Sequence, residues 1–265
     1  MKAIDIMKEL FSIAEEREYS PYCDVCKAGD PEKEVRKVAV TMFPTVKVIK
    51  EAVEWGADLL IVHEPLYFNG REEVNENDKV ATAKKELVEK SGLTIFRYHD
   101  HPHYTVPDII AKGEFKYMQL PGRYESTEIF DLARFYPDEP ITASELARHI
   151  EINLGVKHLR ICGARDIPST VISSVFGSGG EIAFNELKRE DSQIVLVGET
   201  CEWAYGEYAR DAAELGFNKS LIIMGHIGSE RDGMKYTRDL LLEKHPELSV
   251  EYFECDEVYT YTDKF

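Results

Sequence analysis

The chain of 265 residues has no block rich in Lys and Arg: its 32 basic residues stand against 49 Asp and Glu, a formal net charge of −17. Duplex nucleic acid is thereby excluded as a partner, because capturing it takes clustered cations that displace phosphate counterions. Nor does any apolar run approach the roughly 18–20 residues that cross a bilayer. The longest, Leu59-Leu60-Ile61-Val62, is strand-sized, so no membrane partner is expected. The cysteines are few, odd in number and scattered, which makes no disulfide framework and sets a reducing cytoplasm as the expected compartment. Cys23 and Cys26 form one C-x-x-C without a second pair, and two ordinary thiols near a turn are the expectation there. The N-terminus has no small-residue cleavage site. With Ile4, Met7, Leu10, Phe11 and Ile13 on one side it predicts an amphipathic helix rather than a signal peptide.

Motifs of common chemistries are missing as well. There is no G-x-S-x-G elbow, and Gly177-Ser178-Gly179-Gly180 lacks both the Lys-Ser/Thr of a P-loop and the spacing of a dinucleotide fingerprint, so a tight turn is expected there. What is present is an ordinary globular composition, 43% hydrophobic and 31% charged, sufficient for one large core or two smaller ones.

The hydrophobic pattern alternates between strand and helix from Val35 onward. Arg36–Met42 predicts a strand, Thr45–Trp55 a helix stopped by Gly56, and Leu59–Val62 a buried strand: a β-α-β unit. A helix over Asp78–Ser91 and a strand over Leu93–Tyr98 follow. From about Gly113 to Pro140 the periodicity is poor, which suits an irregular connection or a hairpin. Thr142 and Glu145 have the spacing of a capped helix start, and Val171–Val197 repeats the strand-turn-helix-strand pattern. Val38–Glu64 and Ile172–Glu199 differ in length by one residue, as expected of an internal duplication. Helices at Tyr205–Leu215 and Arg231–Lys244, with strands at Ser220–Met224 and Val250–Phe253, close the chain. The prediction is an α/β protein of two lobes related by internal duplication, with mixed sheets flanked by helices, residues 1–112 and 141–265, joined by 113–140.

Candidate chemistry gathers where strands end, the place at which open α/β sheets bind ligands. His63 and Glu64 follow the buried strand at 59–62. His99, Asp100, His101 and His103 follow the next strand, and His226 follows the strand at 220–224 with Glu230 four residues on. Imidazole and carboxylate donors of this kind suit a divalent transition metal. Taken singly, each has a plain alternative: a hydrogen-bonded polar junction at His63, a solvated loop at His101, a lone H-x-x-x-E at His226. If the chain is helical from His226, the i,i+4 pair shares a face and Ser229 is a candidate cap. Tyr67, Phe68, Tyr98, Tyr104, Trp203 and Tyr205 are candidates to wall a pocket, or to pack a core.

Taken in order, Gly29-Asp30-Pro31-Glu32-Lys33-Glu34-Val35, Ala57–Leu66 with its His63-Glu64-Pro65, the Gly-Ser-Gly-Gly turn, Val197-Gly198-Glu199, and Gly225-His226 with Ser229-Glu230 resemble the NGG-interacting-factor-three-like family. Its members are described as type 2 GTP cyclohydrolase I and as dinuclear metal-centre hexameric proteins. The resemblance covers almost the whole chain. It implies two intertwined α/β lobes related by duplication, a two-metal site where they meet, and a homohexamer. By the motif, His63 matches the first metal ligand, and His226 and Glu230 the last two. Glu64 stands where the family usually has a second His, His103 where it usually has Asp, and Trp203 replaces a further His; His99 matches the His that begins its segment. With Glu64 and His103 as ligands the number of carboxylates and imidazoles is preserved and a pair of ions is still held; with Asp100 as the acidic ligand instead, occupancy falls to one metal. Two divalent ions per chain (zinc, iron or manganese) are implied, with metal-assisted hydrolysis of a small molecule such as a nucleotide, and Glu64 or His99 as proton shuttle. The competing expectation is a non-catalytic metal-binding or regulatory protein.

Overall fold

A computed structural model of the chain describes residues 1–71, 73–127, 130 and 132–262. Internal contacts divide it into two compact units, Met1–Ile109 with Met234–Phe265, and Ile110–Gly233.

The first unit opens with α1 (Ala3–Phe11), which buries Ile6, Met7 and Leu10; Ile13 lies beyond its end and is exposed. A sheet follows, built from β1 (Cys26–Ala28), β2 (Lys37–Thr41), β3 (Leu59–Val62), β4 (Thr94–Arg97) and β11 (Ser249–Tyr252), in the order β1-β4-β3-β2-β11. Four of the strands run parallel and β1 is antiparallel to β4. α2 (Val46–Trp55) is capped by the Thr45 side chain and ended by Gly56 at φ 82°, a left-handed conformation that suits glycine. α3 (Lys79–Ser91) starts at Asp78, whose carboxylate accepts the N–H groups of Val80 and Ala81. β3 and β4 are buried along their whole length, as strands covered on both faces must be. After β4 comes the short α4 (Asp100–His103), and the chain then enters α5 (Ile109–Met118), which from Ile110 on belongs to the second unit.

The second unit holds six strands: β5 (Gly122–Ser126), β6 (Leu132–Pro137), β7 (Arg160–Gly163), β8 (Ile172–Val175), β9 (Ile194–Val197) and β10 (Ser220–Ile223), in the order β5-β6-β8-β9-β10-β7. α6 (Ala143–Leu154) begins with the capping box predicted for Thr142 and Glu145. α7 (Gly180–Leu187), α8 (Glu207–Glu214) and the first residues of α9 (His226–Lys244), up to Gly233, complete it, with a π-helical turn at Glu202–Gly206 before α8. Residue parity sorts the sheet's two faces. Ile172, Ile194, Leu196 and Ile222 join one core with α6, whereas Val175, Val195, Val197, Leu221 and Ile223 join another with residues of α7 and α8.

Both units share an inner plan. In each, three consecutive strands run parallel (β2-β3-β4 and β8-β9-β10), and an earlier strand pairs antiparallel with the third, β1 with β4 and β7 with β10. This is the α/β architecture of two mixed sheets flanked by helices that the sequence predicts. Three features differ from the sequence reading. Residues 113–140 contain a hairpin, β5–β6, which is one of the two expectations for this stretch, but also most of α5, a helix not expected there. α9 starts five residues before Arg231, because Gly228 and Gly233 lower the helix signal there without ending the helix. Residues 234–265, which sequence order groups with 141–233, belong to the first unit because β11 pairs with β2, an association that hydrophobic periodicity cannot reveal.

Candidate metal centre

In the first unit, the backbone beyond β3 is fixed by Met42 O, which accepts the N–H groups of both His63 and Glu64. His63 is wholly buried, and its Nδ1 lies 3.0 Å from Tyr98 O. A carbonyl can only accept, so Nδ1 carries the proton and the Nε2 lone pair points the other way. His103, at the end of α4, is held in the same manner: its Nδ1 lies 3.1 Å from Asp108 Oδ2, which again puts the proton on Nδ1. The two Nε2 atoms are 3.4 Å apart. His99 stacks on His63 with ring centroids 4.6 Å apart, and donor atoms of all three rings fall within 4.8 Å of one another. Burial above all, and then the neighbouring His99 and His103, push the His63 imidazole well below its ordinary pKa.

Asp24 builds the loop that delivers these side chains. One of its oxygens accepts the N–H groups of His99 (2.6 Å) and Asp100 (3.1 Å), and the other accepts that of His101 (2.7 Å), so α4 begins on a carboxylate. His101 pairs with this same carboxylate and stacks between Phe11 and Tyr19, away from the cluster. Asp100 Oδ1 lies 2.8 Å from His99 Nδ1. Burial would raise the Asp100 carboxyl, but the contact with His99, helped by Cys23 and Arg97, holds it below its ordinary value. Arg97 is buried at the end of β4. It donates to His63 O at 2.9 Å, lies 3.6 Å from the Glu64 carboxylate, and reaches Cys23 Sγ at 3.7 Å. A guanidinium beside Glu64 keeps a buried carboxylate compensated.

In the second unit, His226 is the first residue of α9, so Glu230 lies on the same helical face. His226 Nε2 is 3.1 Å from Glu230 Oε2, and Nδ1 is 2.7 Å from Glu199 Oε1 at the end of β9. The Gly-Ser-Gly-Gly turn serves Glu230. A Cβ on Gly177 (φ 58°) would come within 2.5 Å of Glu230 Oε1, so only glycine lets the backbone pass there. Ser229 does not cap α9: it lies inside the helix, donating to His226 O and accepting the Gly177 N–H.

The structure thus brings His63, His99 and His103 into one cluster, sets Glu64 on Arg97 and Asp100 on His99, and joins His226 to Glu230 through α9. Arg97, Asp24 and Asp108, which orient these groups, carry no sequence motif that marks them as site residues, whereas Glu199 closes the Val197-Gly198-Glu199 motif although the sequence reading does not single it out as a site residue. Trp203 is exposed in the π-helical turn, and Tyr98 packs in the core. Tyr67 and Phe68 do wall a cleft of about 590 Å³ over the ends of β2 and β3, together with Phe43, Pro44, Pro65 and Lys84.

These donors fit divalent cations. Two neutral imidazoles held with their lone pairs 3.4 Å apart repel unless a cation or one added proton lies between them, and the burial that depresses His63 works against the proton. His226, with a carboxylate at each nitrogen, has the usual form of a metal-binding imidazole oriented by an outer carboxylate, Glu199, beside a second ligand, Glu230.

Fold and side chains together define an α/β protein whose His/Glu clusters could hold metal ions. The chain belongs to the Duf34/NIF3 (NGG1p interacting factor 3) family, whose model matches residues 1–258. A Clostridium perfringens protein named GTP cyclohydrolase 1 type 2 homolog is 25% identical over 209 residues, covering 76% of either chain. A Pyrococcus horikoshii protein of the same name is 25% identical over 241 residues, 85% of this chain and 88% of its own. The crystal structure of a Bacillus cereus protein related to NIF3 superposes with a TM-score of 0.79 at 14% identity, covering 99% of each chain.

Proposed function

We propose that this protein is a metal-dependent hydrolase that binds two divalent cations per chain, through His63 and His103 in one unit and His226 and Glu230 in the other, and acts on a nucleotide-like small molecule. The observation that carries the reading is the buried pair of inward-facing imidazole nitrogens. A bound divalent cation would supply Lewis acidity and make hydroxide available near neutral pH. The chain's own residues supply the rest. Tyr98 O and Asp108 hold two rings in the tautomer that presents Nε2. The Asp100 carboxylate orients His99, which is the better proton shuttle of the two candidates because Glu64 is engaged by Arg97. The cleft walled by Phe43, Tyr67 and Phe68 suits a planar ring, with Lys84 offering positive charge. The shared name of the relatives points to GTP as the first compound to test.

The Glu64–Arg97 pair also favours a second reading, a non-catalytic metal-binding protein, since it ties up one of the two candidate bases. Elemental analysis of protein purified without chelator, against a His63→Ala/His226→Ala double variant, tests the ligand sets. Equal and negligible metal in both would sink both readings. If metal is bound, turnover of GTP and cyclic phosphoesters that is lost on chelation supports the hydrolase, and its absence supports the binding protein. The same reading includes a cytoplasmic homohexamer; light scattering giving a monomer mass would overturn that assembly.

A further inference from the structure

The C-x-x-C segment, which without a second pair reads in sequence as two ordinary thiols near a turn, is brought by the fold to the first unit's donor cluster. β1 runs antiparallel to β4, with Cys26 opposite Phe96. The residues just before β1 therefore lie beside the carboxyl end of β4, where His99 and Asp100 emerge. Asp24 fastens the two segments by accepting three N–H groups from residues 99–101, and Val25 O accepts the N–H of Arg97 at 3.2 Å. As a result Cys23 Sγ, a ring nitrogen of His99 and a carboxylate oxygen of Asp100 all lie within 4.8 Å of one another. Cys26, by contrast, directs its thiol to Ala28 O at 3.3 Å.

We infer that Cys23, His99 and Asp100 form a cation site of their own, adjoining the three-imidazole cluster and selective for a thiophilic divalent metal such as zinc, iron(II) or cobalt(II). A sulfur, nitrogen and oxygen donor set favours these ions over magnesium or manganese, and three protein ligands leave coordination open to a fourth group. Burial keeps the Cys23 thiol protonated in the absence of metal, with the Arg97 guanidinium 3.7 Å away acting in the opposite sense. On binding, the S–H bond breaks, the proton leaves to solvent, and a sulfur–metal bond forms with no change of oxidation state. The His99 ring then takes part in one cluster or the other, so a metal at Cys23 draws that imidazole away from His63 and His103 and tunes the neighbouring site. The inference concerns metal binding alone and stands whether or not the protein hydrolyses anything.

The full chain, stripped with chelator and kept reduced, is titrated with cobalt(II). The wild type is expected to show a near-ultraviolet thiolate-to-cobalt charge-transfer band that is lost in Cys23→Ser and retained in Cys26→Ser and in His63→Ala. A band unchanged in Cys23→Ser, or bound cobalt with no such band in the wild type, overturns the inference. A retained band without turnover of any substrate leaves it intact while removing the hydrolase reading. Alkylation of the wild type by iodoacetamide, mapped by mass spectrometry, needs no variant. Zinc at about ten times its Kd or more is expected to slow modification of Cys23 by roughly tenfold or more, in proportion to occupancy, while leaving Cys26 unaffected, and equal rates with and without zinc count against the site.

Discussion

Asp108 decides which nitrogen of His103 faces inward. Its carboxylate lies 3.1 Å from Nδ1, so the proton stays on that side and Nε2 is left as a donor to metal. Substituting Asp108→Asn keeps the volume but weakens this control, since the amide can present N–H as readily as oxygen. Metal affinity is expected to fall by about 10–100-fold, with the far-ultraviolet circular dichroism unchanged; calorimetric zinc titration measures it, and undiminished affinity would show that His103 is not held for metal. Glu114 makes a different prediction. It is fully buried on α5, its Oε1 accepts the Asp232 N–H at 2.9 Å, and Oε2 has no hydrogen-bond partner among the described residues. Burial, with the Asp232 carboxylate next, pushes its carboxyl well above the ordinary 4.5. A raised folded-state pKa favours the protonated form. Its contribution to stability is therefore full below pH 4.5 and is lost as pH climbs through the raised value. Glu114→Gln removes that loss, so the variant's melting temperature relative to wild type should increase from pH 5 to pH 8; a constant difference would mean the carboxyl titrates normally.

At the scale of elements, the glycines of α5 and α9 set how closely these helices cross. A Cβ on Gly113 would lie 2.4 Å from Asp232 O, and one on Gly233 would lie 2.5 Å from the Ile110 Cα. Neither residue requires a left-handed conformation; what they supply is room. Gly233→Ala gains helix propensity but forces the backbones apart, and overpacking is expected to dominate at a cost of about 1–3 kcal/mol. Urea unfolding measures this, and a stabilised variant would mean that the crossing is loose. The same glycines show where the sequence is hard to read. The strands β2, β3, β8, β9 and β10 are legible because continuous apolar runs bounded by turns have few other readings, and α6 because its capping box is local. The first two turns of α9 and all of α5 are obscured, since glycine lowers propensity at positions whose justification is a distant backbone. The site divides likewise. His63, His99, His103 and His226 can be found by looking just past apolar strands, and His226–Glu230 by helical spacing. Arg97 looks like an ordinary strand residue. Cys23 and Asp24 come into play only when β1 pairs with β4, and such pairing leaves no trace in periodicity.

For the molecule as a whole, the net charge of −17 argues against polyanionic partners yet makes divalent cations natural ones. Several of the acidic groups are fixed around imidazoles: Asp100 on His99, Asp108 on His103, Glu199 and Glu230 on His226. Each bound cation offsets local negative charge, and the one at His63 and His103 also links ligands that follow separate strands, so loading should stabilise the fold by mass action. At a free concentration about 100-fold above Kd the gain is about 2.7 kcal/mol per site, a rise in melting temperature on the order of 5–10 °C for a unit of this size. Scanning calorimetry of zinc-loaded and chelated protein reads that shift, and the His63→Ala/His226→Ala double variant should reduce it to the part that zinc held by Cys23, His99 and Asp100 contributes. The two contributions respond differently to ionic strength. Ligation is short-ranged and persists, whereas relief of self-repulsion among exposed carboxylates is screened beyond roughly 3 Å at 1 M salt. The zinc-induced shift should therefore be larger in dilute buffer than in 1 M sodium chloride without vanishing there; a shift lost entirely in high salt would mean that cations collect on the acidic surface and are not bound by the imidazole clusters.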